Sequence, residues 1–168
     1  MSITMYQASV PVFRHQLGAL SKMLAKAETQ AEARKWDQSV LTQARLYPDM
    51  FPLTRQVQIA TDAARGAVAR LAGADVPAMP DVETTFAELR DRCARTIAFM
   101  DGFTAEQIDG SENREIVLAL GGTSVTFPGQ QYLLGFAMPN FYFHLTTTYA
   151  ILRHCGIELG KRDFLGAN

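Results

Sequence analysis

Three histidines and two cysteines stand among scattered carboxylates in this 168-residue chain, and these are the side chains equipped to bind a metal, move a proton or attack a substrate. Two of the histidines, His144 and His154, lie in the segment PNFYFHLTTTYAILRHCGIELGK, residues 139–161, which reads as one helix. Ten residues on a helix separate them by roughly 80° around the axis and ~15 Å along it. They cannot share an ion. A helical metal site places its ligands at i and i+4, where side chains meet on one face. Asn140 stands four residues before His144 and Thr148 four after it, so neither completes an HxxxH pair.

The remaining candidates have plainer readings. His15, between Arg14 and Gln16, is expected on the surface. His154 falls in the last turn before Gly156, where the helix dipole favours a cation, so capping explains it. Asp49, in YPDMFP, is expected to cap the second helix; the alternative is a reach into a pocket mouth as acid or base. Tyr142 and Tyr149 are expected to pack in the core or at an interface. The glycines of LGGTS are followed by no GK[ST], so they suit a hairpin turn rather than a phosphate loop. Cys93 and Cys155 have no CxxC spacing and are expected to be reduced, mostly buried thiols. No serine, cysteine or threonine has a recognisable nucleophile context.

These residues must be held by a chain of ordinary globular composition, with 48% hydrophobic and 20% charged residues and a net charge of −1. Its length is enough for one domain, residues 1–168, with a substantial core. Lysines and arginines form no basic stripe, which argues against nucleic acid as a partner. No apolar run approaches the ~20 residues of a membrane span, and the start, MSITMYQASVPVFRHQ, does not read as a signal peptide. A cytoplasmic protein is expected.

Apolar residues at steps of three and four predict a first helix over 4–27, with Tyr6, Val10, Phe13, Leu17, Leu20 and Leu24 on its inner face. Pro11 should kink or delay its regular part. The stretch from Ala31 to Met50 reads as a short helix and loop. A second helix is predicted from Pro52 to Leu71, ending at AGADVPAMPD, and a third over 83–101, with Phe86, Leu89, Cys93, Ile97 and Met100 inward. REIVLALGGTSVTFPG then predicts a β-hairpin turning at Gly121 and Gly122, and a fourth helix is predicted over 129–155. The tail after Gly156 is too short for a further element of consequence. The fold class is therefore all-α, a four-helix bundle with a small β-hairpin inserted before the last helix. The long link between the first two helices allows an order other than up-down-up-down.

On the last helix, His144 precedes Leu152-Arg153 by eight residues and Gly156 by twelve. This order resembles the DinB/YfiT-like superfamily of four-helix bundles, with His144 at its second histidine position and Asn140 at its first. The superfamily's third ligand, early in the second helix, falls on Gln56 in FPLTRQVQIATD. RLYPDMFPLTRQVQ together with PNFYFHLTTTYAILRHCGIELGKRDFLG is more closely similar to a DinB-like family of unknown function that lacks the full histidine triad. Where the superfamily's three histidines would hold a divalent metal, this chain offers Gln56, Asn140 and His144. Amide oxygens are weak ligands for zinc or nickel, so no metal and no cofactor is expected. Asp62, six residues after Gln56, points away from it and suits the surface or a polar core.

One imidazole and two amides can hydrogen-bond a neutral or anionic molecule. The expected function is binding of a small molecule in a cleft lined by Gln56, Asn140 and His144, with Asp49 at its mouth. The alternatives are a non-catalytic interaction protein and, as the resemblance implies, a metal- or thiol-dependent transferase. The aromatic run FAMPNFYFHL exceeds what one helix face needs, so a homodimer is expected.

Overall fold

The structure is a computed structural model that describes residues 2–167; Met1 and Asn168, the ends of the expected domain, lie outside the described residues. Helix α1 runs Met5–Ala33, α2 Gln38–Thr42, α3 Leu53–Ala72, α4 Phe86–Met100 and α5 Ala105–Ile108. Strands β1 (Glu115–Leu120) and β2 (Thr123–Pro128) follow, then α6 (Gly129–Tyr132), a π-helical turn (Leu133–Ala137), α7 (Met138–His154) and α8 (Lys161–Leu165). No described helix is long and apolar enough to cross a membrane.

The apolar stripes read from the sequence form the core. Phe13, Leu17, Leu20 and Leu24 of α1 meet Val57, Ala60, Ala64 and Val68 of α3 and Phe86, Leu89 and Cys93 of α4, all fully buried. Helix α1 exceeds its predicted end because the run AKAETQAEA is rich in strong helix formers and buries Ala27 and Ala31. It starts at a capping box of Thr4 and Gln7 and runs through Pro11 without delay. A second capping box, Thr85 with Glu88, opens α4.

Helix directions follow from cross-helix pairs. Arg14 meets Asp101 at 3.4 Å while Glu28 meets Arg90 at 2.9 Å, so α1 and α4 are antiparallel. Phe13 packs edge-on against Phe141, and Arg34 donates to the Gly156 carbonyl at 2.9 Å, so α1 and α7 are parallel. Gln56 meets His144 and Arg70 meets Tyr132, so α3 opposes the helices of the last segment. Helices α3 and α4 are therefore parallel. The crossover is the segment 73–85 between them, not the earlier link that the sequence left open. It must travel back along a helix of 20 residues, roughly 30 Å. Three acceptors on this segment, Pro80, Asp81 and Glu83, fasten it to Arg92.

The hairpin pairs Leu120 with Thr123 across Gly121 and Gly122, whose φ values of 57° and 83° suit a two-residue primed turn. Ile116 and Leu118 are buried against the bundle. The base of the hairpin is tied to the end of α3 by Arg114, which donates to the Leu71 carbonyl. Gly129 closes it: a Cβ there would collide with the Ser111 carbonyl, so only glycine permits this approach.

Two expectations about the C-terminal part need correction. The last helix is not uniform from 129 to 155 but is interrupted by the π turn, which lodges one extra residue per turn before Asn140. The tail carries α8, docked on α1 by Lys26 with Asp163 and by His15 Nε2 donating to the Leu165 carbonyl at 2.8 Å, and on α7 by Phe164 packed edge-on to Tyr149. His15 is exposed, as its sequence context suggests, but it holds this contact.

Candidate functional site

Gln56 lies in the first turns of α3 and His144 in the first half of α7, and the antiparallel packing of those helices brings their side chains together. The Gln56 amide nitrogen donates to the Phe51 carbonyl at 3.0 Å, which fixes the amide with its oxygen turned the other way. That oxygen lies 2.7 Å from His144 Nδ1. An oxygen accepts only, so Nδ1 carries the proton and donates, and Nε2 keeps the lone pair. Burial, reinforced by the nearby Arg55 charge, pushes His144 down to about 4, so the ring is neutral at physiological pH. The Phe143 ring stands perpendicular to it, centroids 5.2 Å apart.

Asn140 takes a different place. It makes no side-chain hydrogen bond with Gln56 or His144. It lines a pocket of about 370 Å³ between α3, β1 and the π turn. Ile59, Asp62, Ala63 and Arg70 form the α3 wall, and Val117, Leu118 and Ala119 form the hairpin wall. Tyr132, Phe136 and Ala137 complete the pocket beside Asn140. The Tyr132 and Phe136 rings stack with centroids 6.2 Å apart. Asp49 is exposed; the residue before α3 is Pro52, with no side-chain cap, so Asp49 neither caps the helix nor lines this pocket.

Asp62 points away from Gln56, as its spacing requires, and lands in this pocket wall. Its Oδ1 accepts from Arg65 and Arg92, each at 2.8 Å. Burial lifts the Asp62 carboxyl above its ordinary value, the two guanidiniums offsetting this only in part. Behind it, Arg92 is fully buried yet bonded at every nitrogen: Nε to Thr61, Nη1 to Glu83 and the Pro80 carbonyl, Nη2 to Asp62 and Asp81. Burial would raise Glu83, but hydrogen bonds from Gln58 and Arg92 outweigh it and hold the carboxyl below its usual value. Arg55 pairs with Asp81 on the same crossover.

The donor set does not suit the metal that the resemblance implies. Gln56 has both amide atoms committed, His144 turns Nδ1 to it, and Asn140 faces another space. Among the described residues no group of three His, Cys, Asp or Glu side chains stands close enough to hold an ion. Burial pushes the Cys93 thiol up to about 12, which keeps it protonated and unreactive.

A family model described as a domain of unknown function, DUF1993, matches residues 5–165. The chain belongs to this family. A crystal structure of a DinB family member protein from Shewanella denitrificans is similar at 42% identity and a TM-score of 0.86, covering 97% of this chain and 92% of that one. No curated protein matches. The DinB-like fold implied by residues 139–161 is thus shown over nearly the whole DUF1993 chain. Of the pocket, sequence reasoning reached Asn140 but not Arg70, Tyr132 or Phe136. A signal was present: Ile59, Ala63, Gly66 and Arg70 repeat at helical spacing, a second stripe beside the core stripe of α3.

Proposed function

We propose that this protein binds a small molecule in the pocket between α3, the hairpin and the π turn. The observation that carries the reading is convergence. A carboxylate, a guanidinium, a phenol and an amide (Asp62, Arg70, Tyr132 and Asn140) meet on an otherwise apolar and aromatic concavity. The hairpin, too small to fold alone, supplies the third wall. The π turn, a distortion frequent at functional sites, carries Phe136 and Ala137 and joins Tyr132 to Asn140 along the same pocket wall. The Gln56–His144 pair lies one turn further along α7 and holds that helix against α3, so it positions Asn140 rather than contacting the ligand.

A screen of metabolite-sized compounds by thermal shift tests this. Compounds that raise the melting temperature of the wild type should leave Ala63→Leu unmoved, because the added side chain fills the floor. Circular dichroism checks that the variant is folded. Binding that survives Ala63→Leu in full, or no binding by any compound, would overturn the reading.

A second reading, self-association, is supported by exposed aromatics beside the Gln56–His144 pair. Phe143 is 56% exposed in the first half of α7 and Phe51 53% exposed before α3. A second copy of this chain is the occupant proposed for that face.

A further inference from the structure

We propose, resting on the pocket reading above, that the ligand is a small carboxylate with an apolar body, held by Arg70. The ion pairs on the α3 face leave one guanidinium over. Asp62 is matched by Arg65 and Arg92, Glu83 by Arg92, and Asp81 by Arg55. Arg70 pairs with no carboxylate among the described residues, and its Nη1 donates only to the Tyr132 hydroxyl at 3.2 Å. Among the described residues that line the pocket it is the one guanidinium.

Its conformation is prepared by Gly66. A Cβ at that position would collide with Arg70 Nη1, so the side chain folds back along α3 over the bare glycine backbone. This draws the guanidinium away from the carbonyls at the end of α3, which would otherwise compete for its protons. It lies instead toward the pocket. A guanidinium presents a planar fork that fits a carboxylate through two parallel hydrogen bonds. Burial pushes the Tyr132 hydroxyl up, so it stays protonated and offers a further donor. The Tyr132–Phe136 stack and the apolar hairpin wall suit an aromatic or branched body. The volume of about 370 Å³ stands near the lower end of the range for small-molecule sites.

Three probes of matched chain length test the class by calorimetry: 3-phenylpropionate, 3-phenylpropionamide and 3-phenylpropylamine. The carboxylate should bind the wild type at least tenfold more tightly than either of the others. Arg70→Gln should lose at least tenfold, and Arg70→Lys should recover part of it. Gly66→Ala, which displaces the guanidinium while keeping its charge, should weaken binding several-fold. Equal or tighter binding of the amide or the amine, or an unchanged affinity in Arg70→Gln, overturns the carboxylate assignment. In that case any binding abolished by Ala63→Leu leaves the pocket reading standing. If no compound in either experiment binds, both fall together.

Discussion

His144 enters the folded state as a neutral ring, and this makes stability depend on pH. In the unfolded chain an imidazole takes up its proton near the ordinary 6.5, whereas in the fold it does so only near 4. Between these values the unfolded state binds the extra proton. Stability is therefore complete above about pH 6.5 and declines as the pH falls toward 4, by about 1–3 kcal/mol. Carboxylates held low, such as Glu83 and Glu88, contribute losses only from about pH 4.5 downward. Urea midpoints at pH 7.5, 6 and 5 should fall for the wild type and stay nearly level for His144→Gln; parallel profiles would show that the ring is not the cause. At this scale the resemblance that matched His144 by its eight- and twelve-residue spacing also named Gln56, which the structure brings to 2.7 Å from the ring, but it gave no sign that Asn140 faces a separate pocket. Which way a side chain turns on a helix depends on the π turn preceding it, and no local pattern announced that turn.

Among the elements, the crossover between α3 and α4 depends most on one interaction. Glu83 is almost wholly buried against Arg92, and removing it leaves the buried Nη1 of Arg92 with the Pro80 carbonyl alone, although Asp62 and Asp81 still face Nη2. Glu83→Ala should cost about 3 kcal/mol in denaturant unfolding. Replacing both partners, Glu83→Leu with Arg92→Met, should cost less than Glu83→Ala alone, because the buried guanidinium leaves together with its carboxylate while Asp62 keeps Arg65 and Asp81 keeps Arg55; a double variant weaker than the single would show that packing of the crossover, not charge balance, decides. The four long helices were legible because their apolar stripes are local and periodic. The crossover was not, since it is fixed by contacts such as Gln58 with Glu83 and Arg92 with Thr61, 25 and 31 residues apart. Helix α8 escaped notice because its anchors, Lys26 and His15, stand at the other end of the chain.

For the molecule as a whole, the exposed rings of Phe143 and Phe51 set the expected assembly. Sedimentation at micromolar concentration should give a dimer, and Phe143→Ser with Phe51→Ser should shift it toward monomer without loss of helical dichroism. A wild type that sediments as a monomer at all concentrations would remove the self-association reading. The parallel run of α3 and α4 has a further consequence, in time rather than in space. The main helix interfaces are α1 with α4 and α3 with α7, pairs that are not neighbours in the chain. Each forms only after a long loop has closed, so early collapse gains little from local zipping. Refolding followed by stopped flow should therefore be slower than in bundles whose successive helices pack on one another, in milliseconds or longer rather than microseconds.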